Sequence, residues 1–195
     1  MIYGTALQLT ETSAPASEPL SVAEAKLHLR VSINDDNLLI ESCIEAARQL
    51  IEENTGRAFV DRTYRLDLPY FDTEIILPMP PLLSVTSVKY YDTANAEQTL
   101  ASTEYDIDVP AGRILQAYGG VYPATYHRHD AVQITYVAGV GTSNSPEELV
   151  PERIKSAIRL LVGEMYENRE ASVIGLMRTE NPTLERLIAP SRMRL

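Results

Sequence analysis

The chain reads as an α+β protein: a small helical bundle of two long helices plus a short one, an antiparallel β module inserted between the long helices, and an extended C-terminal tail. Two observations carry this. Residues 35–55 and 150–170 repeat apolar side chains at three- and four-residue steps, as a helix with one buried face requires. Residues 58–140, between them, alternate in twos and are broken by turn-formers, the pattern of short strands. The implied organisation is an N-terminal segment and linker at 1–20, a bundle from 21–57 and 141–170, a β module at 58–140 and a docking tail at 171–195.

The elements follow in order. Ala6-Leu7-Gln8-Leu9 has the look of a strand, and the Pro- and Ser-rich residues 11–19 read as a loop. Ser21 with Glu24 three positions on is a capping box, which starts a short helix with Val22, Ala25 and Leu29 on one face. Asn34 or Asp35 then caps the first long helix, whose stripe is Ile40, Cys43, Ile44, Ala47, Leu50 and Ile51. Gly56 stands where a left-handed helix end is expected. Six strands are predicted, at 62–68, 74–77, 84–90, 104–109, 113–115 and 132–137, enough for a compact sheet or small sandwich. The second long helix follows Ser145-Pro146 or carries Pro151 in its first turn. Its face is Ile154, Ala157, Ile158, Leu161 and Met165, widened by Leu160 and Val162. The bundle core is therefore assigned to Ile40, Ile44, Ala47, Ile51, Ile154, Ile158, Leu161 and Met165. Asn181-Pro182 restarts a short helix with Leu184, Leu187 and Ile188 on one side.

Composition bounds the function. The chain has 195 residues, 45% of them hydrophobic and 23% charged, with a net charge of −10. That is the composition of an ordinary globular protein, and the acidic excess argues against a surface that grips duplex DNA. The acid is not evenly spread: from residue 171 onward Arg178, Arg186, Arg192 and Arg194 outnumber Glu180 and Glu185. An acidic body with a mildly basic tail suggests a tail that docks on something else. No stretch reaches the roughly 18 apolar residues of a membrane span, and the N-terminus lacks a signal-peptide pattern.

Candidates for chemistry are few. His127-Arg128-His129-Asp130 alone groups metal-ligand residue types, but a closed zinc site needs four ligands and His28 is remote in sequence. Asp35/Asp36 and Glu52/Glu53 are adjacent pairs whose members point apart, so they read as helix-end and surface charges, not an acid–base dyad. Gly139-Val140-Gly141-Thr142 has no lysine at P-loop spacing and reads as a connection. Eleven tyrosines without interleaved Lys or Arg fit sheet packing better than a platform for single strands. Cys43 falls on the apolar stripe and reads as a buried thiol. No catalytic, cofactor-binding or metal-binding residues are assigned, and no cofactor is expected.

Residues 20–31 (Leu20-Ser21-Val22-Ala23-Glu24-Ala25-Lys26-Leu27-His28-Leu29-Arg30-Val31), then Asp35-Asp36 opening a helix, then Ala46-Ala47-Arg48 through Ile51-Glu52 to Thr55-Gly56-Arg57, resemble the opening of tailed-phage head–tail connector (adaptor) proteins. Leu77-Pro78, Pro81-Leu82-Leu83-Ser84-Val85, Ala138-Gly139 and Val150-Pro151 through Tyr166-Glu167-Asn168-Arg169-Glu170 resemble the rest of the long, β-inserted branch of that family. The likeness spans residues 19–170. This family occurs in phages, prophages and gene transfer agents.

The resemblance implies a non-enzymatic subunit of a homo-oligomeric ring, a dodecamer, at the head–tail junction of such a particle. Its partners would be the portal protein and a tail or stopper protein. Double-stranded DNA would pass through the lumen without sequence-specific binding, and no membrane is involved. By position, the portal-docking residues would be Leu184, Leu187, Ile188, Arg192 and Arg194. The competing readings are a tail-completion or terminator protein of the same particle, and a small metal-dependent enzyme around the histidine cluster.

Overall fold

A computed structural model describes residues 8–15, 17–140, 149–168 and 182–193. The fold is α+β, and the chain divides into two compact units: unit 1 is residues 1–15 and 61–139, unit 2 is residues 16–60 and 140–195.

The described residues of unit 1 carry eight strands: β1 (Gln8–Glu11), β2 (Arg62–Leu68), β3 (Glu74–Ile76), β4 (Leu82–Tyr91), β5 (Glu97–Thr99), β6 (Tyr105–Asp108), β7 (Arg113–Gln116) and β8 (Val132–Ala138). They form a five-stranded sheet in the order β1-β2-β8-β4-β5 and a three-stranded sheet in the order β3-β7-β6, antiparallel throughout. Period-two sequence sets the buried face of β8, where Val132, Ile134, Tyr136 and Ala138 all point inward. Their partners in register on β2 are Leu68, Leu66, Tyr64 and Arg62. Tyr64 and Tyr136 stack with ring centroids 5.7 Å apart, and the buried Tyr136 hydroxyl donates to the Pro78 carbonyl at 2.9 Å.

Two strands beyond the six expected complete the large sheet. One is β5, the partner of a Asp92-to-Asn95 turn in which Asp92 Oδ1 accepts from the Ala94 and Ala96 amides. The other is β1, displaced two residues toward the C-terminus from the stretch expected; Ala6 and Leu7 lie outside the described residues. Its hold on β2 is reinforced by Arg62 Nη1 to Glu11 Oε2 at 2.8 Å.

Unit 2 is helical: α1 (Val22–Leu29), α2 (Asn37–Thr55), α3 (Glu152–Glu167), α4 (Pro182–Ile188) and a 3-10 turn, Ala189–Ser191. Helix α1 opens on the expected capping box, with the Ser21 hydroxyl accepting from the Glu24 amide and the Glu24 carboxylate accepting from the Ser21 amide at 3.0 Å. Gly56 ends α2 in the left-handed region (φ 67°), as expected. Helices α2 and α3 pack through Ile40, Cys43, Ile44, Ala47 and Ile51 against Ile154, Ala157, Ile158, Leu161 and Val162.

Helix α2 begins at Asn37 after Asp36, without a side-chain cap, because the Asp36 carboxylate accepts from the Tyr166 hydroxyl instead. Leu50 lies at the rim of the stripe and is 38% exposed, and Met165 is only partly buried at the edge of the core. Glu52 is not a surface charge: it is buried, for reasons given below. The described part of the expected extended tail, from Pro182, forms α4 against α3 and α2. The suggested helix start at Ser145-Pro146 lies outside the described residues.

Candidate functional site

The C-terminal segment is the part of the chain to which the sequence assigns a docking role, and its local chemistry explains where it lies. Pro182 opens α4 and Leu184, Leu187 and Ile188 fall on one side of it. In unit 2 that side is already covered: Ile188 is 2% exposed and Leu184 and Leu187 pack against the bundle core. Two polar contacts fix the end that follows. The Met193 amide donates to the Thr55 carbonyl at 2.9 Å, satisfying one of the orphan acceptors at the end of α2. Arg153 Nη2 donates to the buried Ser191 hydroxyl at 3.1 Å. The Met193 side chain then lies against Gly56, 3.7 Å from where a Cβ would stand. Of the residues assigned to docking, Arg192 pairs with Glu185 at 2.9 Å on the outer side, while Arg194 lies outside the described residues.

Sequence reasoning missed an ion network at the heart of unit 2. Arg48, 1% exposed, donates from Nε to Glu18 Oε2 at 2.7 Å and from Nη1 to Glu52 Oε2 at 2.8 Å. Glu52 in turn accepts from the Phe59 amide at 2.8 Å through its other oxygen. One arginine thereby ties the segment before α1, the body of α2 and the turn after it. The i,i+4 spacing of Arg48 and Glu52 was visible in the sequence, but such pairs usually lie in solvent.

The histidine cluster sits on a bend, not a strand. Arg128 clamps Asp130 through Nε at 2.5 Å and Nη2 at 2.7 Å, and lies over the Tyr91 ring with 3.9 Å to its centroid. The Arg128 guanidinium holds the Asp130 carboxyl below the usual carboxylate range. His127 and His129 are both exposed, and His129 Nε2 stands 3.7 Å from Asp130. Among the described residues no three His, Cys, Asp or Glu side chains are grouped to hold a metal ion. The Asp130 carboxylate is committed to an arginine, so this bend is a structural turn.

The tyrosines divide as sheet residues do. Phe71 stacks on Tyr122 at 4.6 Å and meets Tyr90 edge-on at 5.8 Å, while Tyr64 and Tyr136 stack inside. Gly139 donates its amide to the Pro81 carbonyl at 3.0 Å at the end of the β4–β8 ladder; Gly141 and Thr142 lie outside the described residues. No helix among the described residues is long and apolar enough to cross a membrane.

With that geometry in hand, the likenesses are informative. Residues 19–110 match the model of the Phage gp6-like head–tail connector protein family. Among solved structures, a chain from the neck of an empty gene transfer agent (GTA) particle computed with C6 symmetry is 27% identical, with a TM-score of 0.75 over 96% of this chain and 97% of that one. A chain from the virion of a native GTA particle is 25% identical, with a TM-score of 0.77 over 96% of each chain. A chain from the neck of a native GTA particle computed with C12 symmetry is 26% identical, with a TM-score of 0.74 over 96% of this chain and 97% of that one. No protein of curated function gives a significant match. Family and neighbours are connector and neck proteins, not enzymes. The family match runs through the bundle's first two helices into the β unit, and the fold match covers nearly the whole chain, so the chain is similar in sequence to gp6-like head–tail connectors and in fold to GTA particle chains.

Proposed function

We propose that the chain is one subunit of a dodecameric ring at the head–tail junction of a phage or gene transfer agent particle, seated between the portal and a tail or stopper protein. The observation that supports this most is the full-length likeness to neck chains in particles computed with C12 and C6 symmetry. DNA passes through the lumen of such a ring. A chain with a net charge of −10 presents repulsion to phosphate, so the duplex slides without sticking.

The portal contact falls to the C-terminal segment. Since Leu184, Leu187 and Ile188 are packed in their own unit, docking through them requires α4 to leave that site, whereas Arg192, exposed beside Glu185, can exchange that partner for an acidic portal group without such release. Removing residues 182–195 tests this. Portal-containing heads supplied with the truncated chain should accumulate without tails, and normal occupancy of the truncated chain on heads would show that the segment is not the docking element.

A further inference from the structure

The β6–β7 hairpin of unit 1 opens onto a turn, Ala117 to Gly120, that projects a tyrosine into solvent. The Gly120 amide closes the turn on the Ala117 carbonyl at 2.9 Å, and the Ala117 amide donates to the Glu104 carbonyl at 3.1 Å. The Gln116 side-chain amide donates to the Gly120 carbonyl at 2.9 Å, and the Glu104 carboxylate accepts from the Val121 amide at 2.8 Å. Gly119, third in the turn, has φ 78°, the conformation that glycine adopts without strain. At Gly120 a Cβ would stand 2.9 Å from the Glu104 carbonyl oxygen, so the chain approaches too closely there for any side chain. Four hydrogen bonds and two glycines thus fix where the residue between them points.

What the turn presents is apolar. Tyr118 is fully exposed and makes no hydrogen bond or ring contact among the described residues, and Val121 is 73% exposed. The stack of Phe71 on Tyr122 brings the neighbouring Tyr70, 53% exposed, to the same end of the unit. A lone exposed apolar residue is ordinary, but three at one fixed site mark an interaction surface. Tyrosine is among the side chains most often found as the anchor of such a contact. Because the backbone beneath it is already fixed, little ordering cost remains on binding.

The charge around this end is of one sign. Residues 69–73, 101–106 and 116–122 build it, and they carry Asp72, Glu104 and Asp106 but no lysine or arginine. The Gln116 amide donates to the Thr73 carbonyl at 3.1 Å, which seats Asp72 beside the open end of the hairpin. Arg113, farther along β7, is held by both Glu74 and Asp108. Carboxylates repel phosphate, so these aromatic groups do not make a platform for nucleic acid or anionic lipid.

We propose that the Tyr118 turn docks on a different protein of the particle, one whose facing surface holds an apolar slot with lysine or arginine at its rim. The slot takes Tyr118 with Val121 beside it, and the basic rim meets Asp72, Glu104 and Asp106. A second copy is the poorer match, since this chain itself carries −10. Where the partner stands follows from the connector function proposed above, on which this inference rests. One turn covers far less than the roughly 800 Å² per side of a stable pair, so the contact holds where many copies are gathered on one particle and not between free subunits.

The test uses particles that lack their own copy, complemented with the full-length chain, and counts its copies per particle by quantitative mass spectrometry. Tyr118→Ser should melt as wild type does, since the side chain stands wholly in solvent, yet fall about tenfold in copies per particle. Tyr118→Phe should keep most of them, and Asp106→Lys should lower the count. With p-benzoylphenylalanine at position 118, irradiation should join the chain to one other protein of the particle, beside a lysine or arginine. Unchanged counts for Tyr118→Ser or Asp106→Lys overturn the inference and leave the connector function standing. A crosslink to a second copy, to DNA or to nothing does the same. Absence of the wild-type chain from the neck overturns both.

Discussion

Arg48 and Glu52 illustrate what one buried pair holds in place. With Arg48 removed, the buried Glu52 and the part-buried Glu18 lose their cation, and the loss extends to the Phe59 amide bound on Glu52. Arg48→Ala should therefore cost about 3–5 kcal/mol in urea unfolding, the scale of breaking a buried ion pair from one side. His127→Ala and His129→Ala, exposed on their bend, should change stability by less than about 0.5 kcal/mol and release no bound metal by elemental analysis. Tyr136 supplies a pH dependence. Burial pushes its phenol well above the ordinary value of 10.0, so folding favours the protonated form that donates to Pro78. That stability is complete below pH 10 and is lost as pH rises beyond it, because the unfolded chain ionises first. Tyr136→Phe should remove much of this alkaline sensitivity and cost about 0.5–1.5 kcal/mol at neutral pH. The roles of Arg48 and Tyr136 were not legible in the sequence. Arg48 stands beside the apolar stripe of its helix, where a charge normally turns to solvent, and its pairing with Glu18, distant in sequence, is not written in any local pattern.

At the scale of elements, much of the architecture was legible. The capping box at Ser21 and Glu24, the left-handed end at Gly56 and the apolar faces of α2 and α3 are local signals that tertiary packing does not override. Ile44→Ala and Leu161→Ala should each cost about 2–5 kcal/mol, read by denaturant midpoint, since both lie in the shared core. Strand β5 was not seen because its three exposed residues carry no alternation; its pairing with β4 defines it. The C-terminal helix was placed by pattern but not by partner. Its three apolar side chains fit a groove, and sequence cannot say whose groove. Ile188→Ala should destabilise the free protein by about 2–5 kcal/mol, as befits a core residue, whereas a side chain waiting for a partner would change it little.

For the whole molecule, the family resemblance joined what local patterns left separate. Order and spacing of weak motifs across residues 19–170 pointed to a connector, and the match over residues 19–110 with full-length likeness to neck chains points to the same place. Ring size, neighbours and lumen belong to the assembly and leave no local pattern in one chain. A reconstruction of the neck of a particle carrying this chain, refined without imposed symmetry, tests the central claim most directly. Twelve copies in one closed ring between portal and tail, with DNA in the lumen, is the expected result. The chain at the far end of the tail, or present as one or two copies beside the portal, would contradict it.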